Sequence, residues 1–424
     1  MAFPVTETHR QSNLSNDRLK KSKPKPTNPI EEAIKSWFST VPYDLLEAIQ
    51  QSALLSTAPK RWVVYPPMLL LPSGSFEGNE WRECLSLDIR NAEENLWMRI
   101  LQDVGKREGK GVLTHLAINS GIPLLNESLV NGTGKIGPDT RQGEEEVSIS
   151  NQEHAAEHNI LRTPTGLKIL HGDFGPSLSP TALPASQDFA SAFWVSTRQN
   201  GITQTWAPRY TMFSRGNIKE KARILDFHVK CPEDRKRGKK ELQGEAAVDL
   251  YAGIGYFVFS YVKMGMGNVV GFEMNPWSVE GLRRGAVANG WSVRVVRSGE
   301  EWLPGDESVT VFVEDNAMAL GRLDKLKHTW LGKVTHINCG LLPTSDQSWE
   351  TALRLVSNDG WLHLHENVGV NEVQARRETI EGILQEYLSH SAKTAEVQAE
   401  HVELVKTFAP GVWHCVFDIL ITRQ

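Results

Sequence analysis

Asp249, Gly253, Gly255 and Glu273 lie within AAVDLYAGIGYFVFSYVKMGMGNVVGFEMNP, residues 246–276, and their order describes a nucleoside-binding site. An apolar run ends in Asp249, and a turn bearing the two glycines follows. A short helical stretch comes next, then a second apolar run, Val269 to Phe272, ending in Glu273. Glycines placed after a buried strand let a ligand approach the backbone closely. A carboxylate at the end of the next strand can accept bonds from both hydroxyls of a ribose. The dinucleotide fingerprint requires a third glycine where Val258 stands. A pyrophosphate would also be repelled by Asp249. That acid suits the amino-acid end of S-adenosylmethionine instead.

Ligands of open α/β sheets bind beyond the carboxyl ends of the strands, so two later strand ends bear on the same pocket. One is Glu314-Asp315-Asn316, where a carboxylate and an amide could read an adenine amino group. The other is Asn338-Cys-Gly-Leu-Leu-Pro343-Thr-Ser345, next to where a transferred group would lie. Any single acid at a strand end is accounted for as well by a helix N-cap. Four such ends in the right order point to S-adenosylmethionine.

The elements that must position these residues alternate strand and helix. Val293 to Val296, Val309 to Val313, Val334 to Asn338 and Gly360 to Asn367 read as strands, and Glu372 to Tyr387 as a helix. Repeated β-α units imply a parallel sheet. Ala395 to Lys406 and Trp413 to Thr422, joined by Thr407 to Gly411, fit an antiparallel hairpin at one edge. The class expected is α/β, a seven-stranded, mostly parallel, class I methyltransferase-like (Rossmann-like) sheet over residues 204–424. A smaller N-terminal α+β domain is expected over 30–203. In it Ala33, Ile34, Trp37 and Phe38 share a helix face, and Tyr43 to Leu55 continues in that manner. Trp62 to Tyr65 and Met68 to Leu71 are strand material, and Trp81 to Leu101 reads as a mixture of helix and strand. Residues 1–29 form a polar tail with a basic cluster at Arg18, Lys20, Lys21, Lys23 and Lys25, and about 126–160 a mobile insertion.

Composition bounds the function. The chain has 424 residues, 40% hydrophobic, with a formal net charge of −5, so any RNA footprint must be local. Cys84, Cys231, Cys339 and Cys415 form no CxxC, which argues for a reducing compartment without a zinc or iron–sulfur site. No apolar stretch approaches the roughly 18 residues that span a bilayer. A cytoplasmic monomer without metal is expected. Arg209, Tyr210, Arg215 and Arg223 precede the catalytic sheet and are candidate RNA contacts, with Trp206 and Phe213 as stacking platforms or core. The loop holding Arg235, Lys236, Arg237, Lys239 and Lys240 reads as a phosphate contact or a solvated loop.

Residues 206–223, the DLYAGIGYF loop, E-M-N-P, H-I-N-C-G-L-L-P-T-S and H-L-H-E-N-V together resemble the tRNA wybutosine-synthesizing protein 2 family, relatives of the tRNA guanine-37 N1-methyltransferases. The likeness is close over roughly 160–424 and loose over 31–125. It implies transfer of the 3-amino-3-carboxypropyl group from S-adenosylmethionine to 4-demethylwyosine at position 37 of tRNA(Phe), in its anticodon region, with release of 5′-methylthioadenosine. It also implies cofactor contacts at Ser214, Lys221, Glu273, Asp315 and Asn316. If 214–221 is helical, Ser214 and Lys221 share a face. An arginine expected after the Asp-Asn pair is replaced by Ala317. A competing alignment puts the adenine-reading acid at Glu300 or Glu301. Asp315 is preferred, because a helix-length segment leads from it into Val334.

A sulfonium offers three carbons to attack, and alignment decides which reacts. Candidate bases for the acceptor proton are His336, His365 and Glu366, with Asn338 as an orienting group; each histidine could equally be core. Arg209, Arg215 and Pro343 are assigned to the substrate. The alternatives are a guanine-37 N1-methyltransferase and a non-catalytic tRNA-binding protein that holds S-adenosylmethionine. Gly340-Leu-Leu-Pro343, against the shorter Asn-Leu-Pro of the methyltransferases, favours the transferase.

Overall fold

In a computed structural model, residues 27–42, 50–86, 92–119, 164, 166–179, 182–324, 326, 331–389 and 395–423 are described. The basic cluster of the N-terminal tail, the 126–160 insertion and Tyr43 to Ile49 lie outside them.

Fourteen strands appear among these residues. In chain order they are β1 (Val63–Tyr65), β2 (Met68–Leu71), β3 (His115–Ile118), β4 (Lys168–His171), β5 (Val195–Gln199), β6 (Ile202–Trp206) and β7 (Glu245–Asp249). Then come β8 (Asn268–Phe272), β9 (Val293–Arg297), β10 (Val309–Val313), β11 (Lys333–Cys339), β12 (Gly360–Gly369), β13 (Ala395–Ala409) and β14 (Val412–Arg423). Eight form one sheet in the order β13-β14-β12-β11-β7-β8-β10-β9. Strands β7 to β12 run parallel, while β14 pairs antiparallel with both β12 and β13. This is the class I methyltransferase-like order, with eight strands where the class expected has seven. The eighth is β9, the Val293 to Val296 run already read as a strand, which pairs parallel on the far side of β10.

Both faces of this sheet are covered, which explains the unbroken apolar runs in its central strands. Along β7, Ala246 and Val248 enter one core cluster and Ala247 the other. The period-2 alternation sorts neighbours onto opposite faces. One face packs under helices Trp349–Leu355 and Val373–Ser389, the other under Val258–Met264 and Pro276–Ala288.

The smaller sheet runs β1-β2-β3-β4. Helix Pro29–Phe38 starts with Pro29 in its first turn, and the Asn28 side chain accepts the Ile30 N–H at 3.0 Å. Its stripe Ile30, Ala33, Ile34, Trp37 and Phe38 packs with Leu96, Trp97 and Ile100 of helix Ala92–Glu108. The strand expected within 81–101 is absent among the described residues there: Trp81 and Cys84 lie on helix Asn79–Ser86, and Leu96 to Leu101 on the longer helix. Their spacing is helical, and it overrides the β-propensity of the aromatics.

Hairpin β5-β6 spans the 203/204 boundary expected from sequence. It lies on helix Pro276–Ala288, where a Cβ on Gly281 would come within 2.7 Å of the Thr205 carbonyl. Asn289 clamps the contact, accepting from Thr203 N at 2.8 Å and donating to Thr203 O at 2.7 Å.

Candidate active site

The carboxyl ends of β7, β8, β10 and β11 converge. Asp249 ends β7 fully buried. Its Oδ1 accepts from Asn338 Nδ2 at 2.9 Å and from Tyr251 N at 3.1 Å. Its Oδ2 has no partner among the described residues. Burial pushes its pKa up to about 6 against these stabilising bonds. Gly253 and Gly255 carry φ of +54° and +87°, a left-handed backbone that side chains resist. A Cβ on Gly255 would meet the Phe259 ring at 2.6 Å.

Glu273, just past β8, holds this turn from beneath. Gly253 N donates to its Oε2 at 2.9 Å and Asn275 N to its Oε1 at 2.8 Å. Burial, with the nearby Asp249 charge a smaller cause, raises its pKa to about 7. Two acids with raised pKa values in one cleft, Asp249 buried and Glu273 half-buried, mark a candidate site. Past β10, Asn316 Nδ2 donates to Leu250 O at 3.1 Å, so this end reaches the same turn. Asp315 is exposed and caps the short 3-10 turn Asn316–Met318 by accepting Ala317 N at 2.8 Å. Glu300 follows the outermost strand, where it accepts from Arg294 at 3.1 Å and from Arg297 N at 3.0 Å. Glu301 is exposed beside it.

Ser214 and Lys221 do not share one helix. Ser214 precedes a 3-10 turn, Arg215–Asn217, and the helix begins only at Ile218. Tyr256 joins them nonetheless: Ser214 N donates to its hydroxyl at 2.9 Å, and the Lys221 ammonium lies 5.6 Å from its ring centroid. Lys221 donates to Gln199 Oε1 at 2.7 Å and Gln204 Oε1 at 2.6 Å. It has no carboxylate partner among the described residues, and burial lowers its pKa to about 8. Gln204 reaches on to Gly255 O at 3.4 Å. Lys406 of β13 donates to Ser214 Oγ at 3.1 Å. Gln199, Gln204 and Lys406 escape sequence reasoning, since nothing in their spacing ties them to the glycine turn, whereas Tyr256 sits beside Gly255 in that turn.

The four catalytic candidates separate. Asn338 touches Asp249, and its Oδ1 meets His365 Nε2 at 3.1 Å; His365 Nδ1 meets His414 Nε2 at 2.9 Å. Burial holds His365 well below its ordinary pKa and His414 down to about 4, so both rings stay neutral near pH 7. His336 sits one step further down the same sheet face, in a relay from His228 (2.8 Å) through His363 (2.9 Å) to Asp418 (2.7 Å). Fully buried and stacked on Trp361, it is a core residue. Glu366 spends both oxygens, on Thr344 Oγ1 at 2.7 Å and Arg376 at 2.9 Å, and braces the turn that presents exposed Pro343.

The RNA candidates separate too. Arg215 is exposed, and Arg209 is half-buried, its Nε without a partner among the described residues. Arg223 is bound instead to buried Glu220 and Asp418. Trp206 stacks on Phe213 with centroids 4.7 Å apart, and Tyr210 on Trp277 at 3.7 Å, so these rings are core. In the basic loop, Arg237 lies 3.5 Å from Glu245, and Arg235 pairs with Glu400.

No protein-family profile matches the chain. Among curated proteins, tRNA wybutosine-synthesizing protein 2 of Schizosaccharomyces pombe is 37% identical over 406 residues, which cover 92% of this chain and 81% of that protein. The chain belongs to the tRNA wybutosine-synthesizing protein 2 family. The Saccharomyces cerevisiae protein of that name is 30% identical, covering 93% of this chain and 80% of its own length. Among solved structures, TYW2 of P. horikoshii in complex with MeSAdo superposes with a TM-score of 0.51 at 17% identity, covering 93% of this chain and all of that one. That likeness shows the fold. Among the described residues no helix is long and apolar enough to cross a membrane, and no group of three or more His, Cys, Asp or Glu could hold a metal ion.

Proposed function

We propose that this chain transfers the 3-amino-3-carboxypropyl group of S-adenosylmethionine to 4-demethylwyosine at position 37 of tRNA(Phe), releasing 5′-methylthioadenosine. Family membership supports the reading. The observation that carries it at the site is a pair of unmet charges flanking the glycine turn. Among the described residues Asp249 offers a buried, partnerless carboxylate oxygen, and Lys221 a buried ammonium that donates to amide oxygens but to no carboxylate. An ammonium and a carboxylate are what they lack, and the amino-acid end of S-adenosylmethionine has both.

When bound, the donor supplies a sulfonium whose aminocarboxypropyl carbon leaves sulfur as it bonds to the acceptor carbon, which gives up a proton. The chain's own part is binding and alignment. Asp249 holds the amino group, and Lys221 with Ser214 the carboxylate end. Glu273 takes the ribose hydroxyls, and Asp315 with Asn316 the adenine. Asp315 is assigned ahead of Glu300 and Glu301 because β10, not β9, lies beside β8 and its end reaches Leu250. Asn338 fixes Asp249, and the neutral His365 fixes Asn338. Gripping both ends of the amino-acid arm sets which sulfonium carbon faces the base, so alignment supplies most of the rate. Arg209, Arg215 and the Pro343 turn are assigned to the tRNA.

Mass spectrometry of the nucleosides of modified tRNA(Phe) after incubation with labelled S-adenosylmethionine tests this. A gain of one aminocarboxypropyl unit is expected, with 5′-methylthioadenosine released. A methyl gain with S-adenosylhomocysteine would assign the chain to the guanine-37 chemistry, and an unchanged nucleoside would leave it a binding protein.

A further inference from the structure

Away from the glycine turn, a cavity of about 580 Å³ lies between the smaller sheet and the turn at Arg215. Its wall is apolar: Val63 and Trp62 from β1 and the residue before it, Leu70 and Leu71 from β2, and Pro72. Lys60, Arg61 and Arg215 also line it, all three exposed, and none forms an ion pair among the described residues. The one lining carboxylate, Glu108, accepts the Trp62 indole N–H at 3.1 Å. Three unpaired cations against one engaged acid stand out in a chain whose net charge is −5.

Such a volume suits a small ligand. An apolar wall beside an indole matches the face of a nucleobase, and three adjacent cations match its phosphates, the pairing by which proteins hold single-stranded nucleic acid. Arg215 follows Ser214, whose N–H is bound to Tyr256 next to the glycine turn, so the cavity adjoins the donor site through one short loop. We propose that this cavity takes an unpaired nucleotide of the RNA substrate other than the one modified, and so holds the RNA in register while the target base enters the donor site. The proposal rests on the tRNA reading given above.

The test uses the full chain and tRNA(Phe) carrying 4-demethylwyosine, with binding followed by fluorescence anisotropy across a salt series. The doubly substituted Lys60→Glu/Arg61→Glu chain changes only exposed side chains. It should bind tRNA at least tenfold more weakly, with a log–log salt slope shallower by about 1.4, since two phosphates go unneutralised at about 0.7 each. Trp62→Ala should lose about tenfold with the slope kept, since stacking on a base carries no charge. Both should retain wild-type affinity for S-adenosylmethionine in calorimetry. Wild-type tRNA affinity and slope in both variants would overturn the proposal, as would a loss of donor binding, which would make the cavity part of the donor site. A wild-type chain that neither binds nor modifies the tRNA would instead sink the functional reading itself.

Discussion

Replacing Asp249 with Asn should make the ligand-free protein more stable and the donor complex weaker. The side chain is fully buried, one oxygen is partnerless, and its pKa has risen from 3.8 to about 6. The folded chain therefore holds this proton more tightly than the unfolded chain does. The stability linked to it is complete below the unfolded value and is lost as pH rises through about 6. Above that, the ionised group costs the empty fold about 3 kcal/mol, at about 1.4 kcal/mol per pKa unit. Asn keeps the oxygen that accepts from Asn338 and Tyr251 and removes the charge. Scanning calorimetry of the ligand-free variant should show a melting temperature above wild type at alkaline pH and no gain at acid pH. Titration with S-adenosylmethionine should show the opposite. A charged bond to the donor's ammonium is worth about 1.5–3 kcal/mol, so affinity should fall roughly tenfold to a hundredfold. Wild-type affinity should also rise with pH through about 6, and the variant should lose that limb. A variant no more stable than wild type at alkaline pH, or one that binds the donor equally well, would refute this account of Asp249.

Glu273→Ala should weaken donor binding by about 1–3 kcal/mol, because the ribose loses a charged acceptor. It should also lower the melting temperature, since Gly253 N and Asn275 N lose theirs; unchanged calorimetric affinity would remove the ribose role. For Lys221→Met, affinity should fall and lose its alkaline limb: in wild type the ammonium deprotonates as pH rises through about 8, so binding weakens there, and a variant with that limb intact would clear Lys221 of the role. Arg223→Met leaves the buried carboxylates Glu220 and Asp418 without their shared cation and should cost about 3–5 kcal/mol in urea denaturation, whereas a loss under 1 kcal/mol would show the network to be expendable.

The sequence by itself determined the α/β class and the two-strand frame of the candidate site, and it singled out Asp249, Gly253, Gly255 and Glu273 as its proposed members. These features are local. A strand that ends in an acid, with a glycine turn behind it, places its side chains within one β-α unit, and short-range periodicity is enough to read that. The proposed choice of Asp315 over Glu300 draws on tertiary structure, because it depends on which parallel run pairs with β8. The tertiary structure alone showed that His336 and Arg223 are committed to a buried His–Asp–Arg–Glu network, while Asn338 and His365 stand behind Asp249. And it alone joined Gln199, Gln204 and Lys406 to Lys221 and Ser214, through pairings as far as 192 residues apart in the chain. The physical reason is one of range: a residue's type and its neighbours set its backbone and face, but the partner that satisfies a buried polar group is chosen by packing across the sheet.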